Sequence, residues 1–404
     1  MKNVFLLFVL IFSQSVFSQK ADTLLKQGIA LGINKQNKEA ITKLTEYIVN
    51  SPKDANGFYA RGAIYSSIRE IDNAIADYTQ AIALNPKLAK AYVNRGSAYC
   101  EQKKYDIALL DYNKAIDISP KMAEAFNNRG FMFSQENKQQ QAIQDFDTAI
   151  KLNPKYSRAY INKAFSKSSM GDVNAAISVL SDLLLIVPDA FEAYMNRALQ
   201  YESIGDFKSA LEDYNKGIGL NNSDPNAYLS RSKIRDEQGD EFGAIDDCNH
   251  AIQLQPRNYN AYHLKARSEF DLKNYIGVID DCSKAIQLKP DMDEAYVLRA
   301  NAYDILSKYE EALKDYNKAI ELKPKESEAY MQRAIAEATH KNYDATLLDL
   351  TKVLELEPKN IKALIMRGDL YLYLKKNDLA CKDYTVAKNL GDGSAISKCL
   401  FNCN

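Results

Sequence analysis

The chain has 404 residues, more than one compact core accommodates, since single cores stop growing at about 250–300 residues. Lys and Arg number 52 against 53 Asp and Glu, and this balance, with no basic cluster, argues against a nucleic-acid surface. Trp is absent, and 26 Tyr carry much of the aromatic packing.

The N-terminus reads as a separate object. Met1-Lys2-Asn3 is a short basic start, Val4 to Phe12 is unbroken apolar sequence, and Ser13 to Ser18 is small or polar apart from Val16 and Phe17. Such a run is too short for a membrane-spanning helix. It predicts a secretory signal peptide over residues 1–18, cut after Ser18, with a retained membrane anchor as the alternative. Export to the periplasm or medium would follow, with no membrane span in the mature chain. No Cys follows the run until Cys100, which argues against lipid attachment.

From residue 21 onward the sequence repeats. Pro52, Pro86, Pro120, Pro154, Pro188, Pro256, Pro290, Pro324 and Pro358 share a 34-residue grid; Asn222 takes the one vacant grid point, and Pro225 lies just beyond it. A period of this length marks a stacked array whose units borrow their core from their neighbours. Units begin at residues 21, 55, 89, 123, 157, 191, 225, 259, 293, 327 and 361, with the grid proline at position 32. Position 4 is aromatic from Phe58 and Tyr92 through Tyr330, and position 8 is small, from Gly62 and Gly96 to Gly368. Position 20 is mostly Ala, from Ala74 to Ala380, and position 24 carries Tyr78, Tyr112, Phe146 and Tyr214. Large residues at 4 and 11 with a small one at 8 predict one face of a first helix. Positions 20, 24 and 27 predict the matching face of a second, and the proline stops that helix.

Position 7 is basic in ten units, from Arg61 to Arg367, and position 23 is acidic in nine of them, from Asp77 to Asp383. This predicts a partly exposed ion pair joining the two helices, adding about 0–1 kcal/mol each.

"AYVNRGSAY" at Ala91–Tyr99 and "ALLDYNKAIDISP" at Ala108–Pro120 resemble the tetratricopeptide repeat. The resemblance covers Ala21 to the C-terminus as ten full units and an eleventh without its closing proline. Its usual Trp at position 4 is Tyr or Phe here. It implies an all-α fold, a right-handed superhelical solenoid of stacked helix-turn-helix units, spanning residues 19–394.

Along the array, the first unit reads as a cap, with Leu24, Gln27, Lys43 and Leu44 in place of the aromatic and the ion pair. The fifth departs through Lys167 and Val179. The sixth ends in Gly217, Gly219, Asn221 and Asn222, predicting either a soft seam near 215–226 or a simple loop variation. Residues 395–404 are expected to cap the last unit, with Ile396, Cys399, Leu400 and Cys403 on one face.

The resemblance also implies an inner groove lined by positions 2, 5, 6, 9, 12 and 13. Position 6 holds Asn94, Asn128, Asn162 and Asn196, a column similar to the asparagine ladder of the O-linked N-acetylglucosamine transferase repeats. Amides offer donors and an acceptor to peptide backbone. The column then lapses, and His263, Arg267 and Asn301 line the later groove. The Lys and Asn clamp that some family members use for a C-terminal carboxylate is not formed.

Of six cysteines, Cys248 and Cys282 recur at one position of successive units and should lie too far apart to bond. Cys381 with Cys399 is the candidate disulfide, fastening the end helix, with Cys403 as the other partner. The closing segment resembles that of exported bacterial members of the family, which adds to this expectation. Zinc at Cys381, Cys399 and Cys403 lacks a fourth ligand. His250, His263 and His340 stand at unrelated positions, and no catalytic motif or cofactor signature occurs. The expectation is a non-enzymatic scaffold, without metal or cofactor, holding a protein or extended peptide. The alternative is an envelope assembly component that uses its outer face or ends.

Overall fold

A computed structural model of the chain describes residues 23–402, with side chains to Cys399. The expected signal peptide therefore lies outside the described residues. Within them the protein is all-α. The helices run in pairs: α1 (23–33) and α2 (Asn37–Asn50), α3 (Ala55–Ser67) and α4 (Ile71–Leu84), α5 (Ala89–Glu101) and α6 (Tyr105–Ile118), α7 (Ala123–Gln135) and α8 (Gln139–Leu152). They continue as α9 (Ser157–Ser169) and α10 (Val173–Ile186), α11 (Phe191–Ser203) and α12 (Phe207–Leu220), α13 (Pro225–Glu237) and α14 (Glu241–Leu254), α15 (Tyr259–Asp271) and α16 (Tyr275–Leu288). The last are α17 (Asp293–Ile305) and α18 (Tyr309–Leu322), α19 (Ser327–Thr339) and α20 (Tyr343–Leu356), α21 (Ile361–Tyr373) and α22 (Asn377–Asn389), closed by α23 (Gly393–Asn402). The described residues divide into two compact bodies between Asp213 and Tyr214.

Each grid proline sits second in a four-residue turn between pairs. Asp54 N–H donates to Ser51 O at 3.1 Å across Pro52, and Met122 N–H to Ser119 O at 3.0 Å across Pro120. Proline presets the backbone angle that this turn position needs. Asn222 takes the same place in the corresponding turn, where Ser223 N–H donates to Asn221 Oδ1 at 3.1 Å, and Pro225 becomes the first residue of α13, where its missing N–H costs nothing. The gap in the proline grid thus keeps the two-residue turn at 222–223 but holds it through a side chain. Position-4 tyrosines reach back to this corner: Tyr262 donates to Pro256 O at 3.3 Å and Tyr228 to Asn222 O at 3.4 Å.

The small residues at position 8 are small because a ring lies against them. A Cβ at Gly62 would meet Tyr78 Cε1 at 2.9 Å, and one at Gly130 would meet Phe146 Cε1 at 2.8 Å. Where position 8 is Ser232, position 24 shrinks to Cys248, buried with Oγ and Sγ 3.1 Å apart. The Ala at position 20 is fully buried in unit after unit, as with Ala74, Ala108 and Ala142, completing the close helix approach. None of the position-4 aromatics is exposed.

The turn inside each pair needs a left-handed residue at position 15. Gly171, Gly205 and Gly239 supply it without strain, whereas Lys103 (φ 58°), Asn137 (φ 61°) and Lys273 (φ 60°) do not.

The basic column corrects the expected exposure. Arg95 grips Asp111 through Nε and Nη2 at 2.8 and 2.7 Å, and Arg197 grips Asp213 at 2.7 Å through both. The carboxylates Asp77, Asp111, Asp213 and Asp349 are buried, because the pair lies in the slot between helices beneath the position-4 ring. The Arg95 guanidinium stands 5.7 Å from the Tyr92 ring centre and that of Arg129 stands 5.6 Å from Phe126. A third bond crosses to the preceding unit: Arg95 Nη1 donates to Thr79 at 3.1 Å, Arg197 to Ser181 at 2.9 Å, Arg367 to Thr351 at 3.1 Å. Lys163, facing Val179 in the irregular fifth unit, pairs instead with Asp147 of the unit before, at 2.6 Å.

At the C-terminus the packed face of α23 centres on Ala395, fully buried, while Ile396 is 44% exposed. Helical phase therefore departs from the expected Ile396 face, and Lys398 reaches Asp369 of α21. Cys399 is a free thiol and Cys381 is disulfide-bonded, so the expected Cys381–Cys399 bond is not made. The other expected partner, Cys403, lies outside the described residues.

Candidate functional site

The first-helix face of the body ending at Asp213 assembles three of the four column asparagines around two cavities. Asn128 and Asn162 line one of about 500 Å³ with Ser97, Phe131 and Arg158. Asn196 lines the next, about 810 Å³, with Tyr156, Glu192 and again Arg158. Asn94 faces neither; its amide donates to the Tyr59 and Tyr78 hydroxyls at 3.4 Å.

The asparagines form a linked chain rather than separate rungs. Asn128 Nδ2 donates to Ser97 Oγ at 3.4 Å, and Asn128 Oδ1 accepts from Asn127 Nδ2 at 3.0 Å. Asn127 Oδ1 accepts in turn from Asn162 Nδ2 at 3.0 Å. Asn128 and Asn162, both half-buried, each keep a second N–H, and Asn162 keeps its carbonyl oxygen, so these two can still pair with an incoming backbone while buried Asn127 links them. Asn196 Nδ2 donates instead to Glu192 O of its own helix at 2.7 Å.

Sequence reasoning missed Asn127 and Arg158. Asn127 is buried at position 5, where neighbouring units carry Val93 and Ile161; that polar exception was its signal. Arg158 stands at an exposed position 2, and nothing in its own unit distinguishes it.

In the body from Tyr214 onward, His263, Arg267 and Asn301 come together around a cavity of about 410 Å³, with Val297, Leu298 and Lys323. Arg267 Nη2 donates to Asp236 Oδ2 at 3.3 Å, and Asn301 Oδ1 accepts from the Tyr316 hydroxyl at 2.6 Å. Burial, reinforced by the Arg267 charge, pushes His263 down to about 4, so its imidazole is neutral at pH 7. Its buried Nδ1 has no hydrogen-bond partner. The other histidines pack rather than line a cavity: His250 stacks on Tyr228 at 5.1 Å and His340 on Tyr309 at 3.9 Å. Burial also pushes the Cys248 thiol up to about 12, which leaves it unreactive at neutral pH.

Models described as tetratricopeptide repeat match residues 55–88, 77–109, 123–156, 191–224 and 293–326, and a TPR repeat model matches 96–135. The chain carries tetratricopeptide repeats. Among curated proteins none matches it in sequence. Among solved structures, a tetratricopeptide repeat protein from Parabacteroides merdae is similar at 23% identity and a TM-score of 0.47, covering 62% of this chain and 99% of that one. Yeast Tom70 is similar at 17% identity and 0.45, covering 94% and 93%. The APC/C hetero-tetramer Cut9-Hcn1 is similar at 13% and 0.49, covering 97% and 98%. Tetratricopeptide arrays are protein-binding scaffolds that use extended surfaces. No helix among the described residues is long and apolar enough to cross a membrane.

Proposed function

We propose that the protein is an exported, non-enzymatic scaffold that holds an extended peptide or protein segment on the first-helix face of α5, α7, α9 and α11. One observation carries this reading: a hydrogen-bonded chain of amides, Asn128–Asn127–Asn162, runs between units along the wall of an open cavity with donors to spare. Export rests on the apolar run after Met1-Lys2-Asn3. Exposed apolar residues on second helices, such as Leu110 and Leu348, favour the outer-face assembly alternative. They form small groups, Ile107 with Leu110 on α6 and Phe242 with Ile276 at one position of successive units. Among the described residues no chain of amides accompanies the α6 pair as it does the first-helix face.

The test is selection of a random twelve-residue peptide library on the mature chain. Peptides selected on the wild type should bind the Asn128→Ala/Asn162→Ala variant at least tenfold more weakly, with its thermal midpoint unchanged. Crosslinking should place them on first helices. Unaltered affinity, or crosslinks confined to second helices, would replace the groove reading with the outer-face one.

A further inference from the structure

Beside the amides runs a row of exposed apolar side chains that ordinary packing does not account for. Phe131, Phe165 and Leu199 occupy position 9 of three successive units and are 48%, 61% and 47% exposed. Each stands three residues after a column asparagine, on the same face of its helix. Ile29 and Ile335 also stand at position 9 but without apolar neighbours there, since the units between put Ala63, Ser97, Lys233, Arg267 and Asn301 at that position and the last puts Asp369. Only these three form a consecutive run. The apolar row therefore coincides with Asn128, Asn162 and Asn196.

Four residues before those asparagines lies a third row, Glu124, Arg158 and Glu192. Arg158 serves both cavities and makes no ion pair among the described residues. Lys103, in the smaller cavity, makes none either, while the one acid there, Glu101, is taken by Arg69 at 3.2 Å. The smaller cavity thus holds uncompensated positive charge.

Spacing selects the ligand's backbone. α7 and α9 touch directly, through Asn162 and Asn127 at 3.0 Å and Ser166 and Ser134 at 3.5 Å. Helices in contact lie about 8–10 Å apart. A β-strand repeats side chains on one face every two residues, or about 6.7 Å, which falls short. A polyproline II segment repeats every three residues, about 9.3 Å, and makes no internal hydrogen bonds, so its amides remain available.

We infer that α7, α9 and α11 bind a polyproline II segment with apolar side chains at every third residue, seated on Phe131, Phe165 and Leu199, and one acidic side chain at Arg158. This rests on the groove reading and names its ligand class. Glu124 and Glu192 fix the register, because an acid displaced by one unit would face a glutamate.

The probes are capped synthetic peptides measured by calorimetry on the mature full-length chain. One carries Leu at every third residue with Pro and Ala between and a single central Asp; an isomer of identical composition places Leu at every second residue. The first should bind at least tenfold more tightly, lose at least tenfold with Phe165→Ser, and yield to its Asp→Lys counterpart on the Arg158→Glu variant. Equal binding of the two isomers, or of neither, overturns the proposal. So does a wild-type dimer in sedimentation that Phe165→Ser dissolves, since a second copy would then cover the row. If library peptides still depend on Asn128 and Asn162 but ignore Leu spacing and Phe165, only this inference falls and the groove reading stands.

Discussion

Arg231 and Asp247 form a two-pronged ion pair, Nε to Oδ2 at 2.9 Å and Nη2 to Oδ1 at 2.5 Å, with the aspartate 0% exposed. Arg235 Nη1 adds a contact to the same carboxylate at 3.1 Å. Removing Asp247 takes from Arg231, whose side chain is 13% exposed, both prongs of its ion pair, and leaves Arg235 only Asp240 and the Gly243 carbonyl. Asp247→Ala should cost about 3–5 kcal/mol in urea unfolding, while Arg231→Met/Asp247→Leu should recover more than half of it. A loss under 1 kcal/mol for the single variant would show the pair to be solvated.

The fit of Gly130 against Phe146 gives a second expectation. A Cβ there would lie 2.8 Å from the Phe146 ring and 3.0 Å from the Ala142 carbonyl oxygen. Overpacking costs about 1–3 kcal/mol, offset by about 1 kcal/mol of helix propensity. Gly130→Ala should therefore lower stability modestly. Adding Phe146→Leu, which copies the Ala164 and Leu180 pair of the next unit, should make the double variant lose less than the two singles summed. Additive losses would deny the contact.

Gly219 is the opposite case, a helical glycine with nothing within 4 Å of its missing Cβ. Gly219→Ala should stabilise by about 0.5–1 kcal/mol and slow amide exchange in the last turn of α12. Exchange unchanged from residue 215 to 226 would mean that no soft point existed there.

Glu269, beside the Asp281 carboxylate, sets a pH dependence. Both are buried, with Lys265 Nζ 2.9 Å from Asp281 and 3.8 Å from Glu269. Burial first, and then the Asp281 charge, pushes Glu269 up to about 7. A carboxyl raised in the folded state contributes its stability fully below its unfolded pKa, near about 4.3, and loses it as pH rises through 7. Glu269→Gln should accordingly raise the thermal midpoint relative to wild type at pH 8 and bring little gain at pH 4.5. An equal gain at both pH values would refute the assignment.

How much of this was legible in the sequence follows from which positions tolerate only one chemistry. The proline turn, the small residues facing Tyr78 and Phe146, and the Arg–Asp pairing each admit few side chains, so a 34-residue period exposed them. Position 15 was invisible because Lys103, Asn137 and Gly171 all adopt its left-handed backbone. The third bond of each arginine was hidden because Thr79, Ser181 and Asn113 serve equally as acceptors. The closing helix was misjudged by one residue of phase, Ala395 rather than Ile396, because so short an element has too few turns to fix its face. On the site, the asparagine column was readable as a column. Its linkage through Asn127, and the role of Arg158, depend on helices meeting across units, which no single repeat encodes.

The reach of Arg95 back to Thr79 has a genealogical consequence. Because each unit's arginine takes its third partner from the module before it, a tandem copying event of one whole module supplies donor and acceptor together at the new junction. Gene segments that are not a whole number of modules would bring a guanidinium opposite the wrong helix. Such a chain can be lengthened by duplication without redesigning a single junction, and its copies are then free to diverge on the face that meets other molecules.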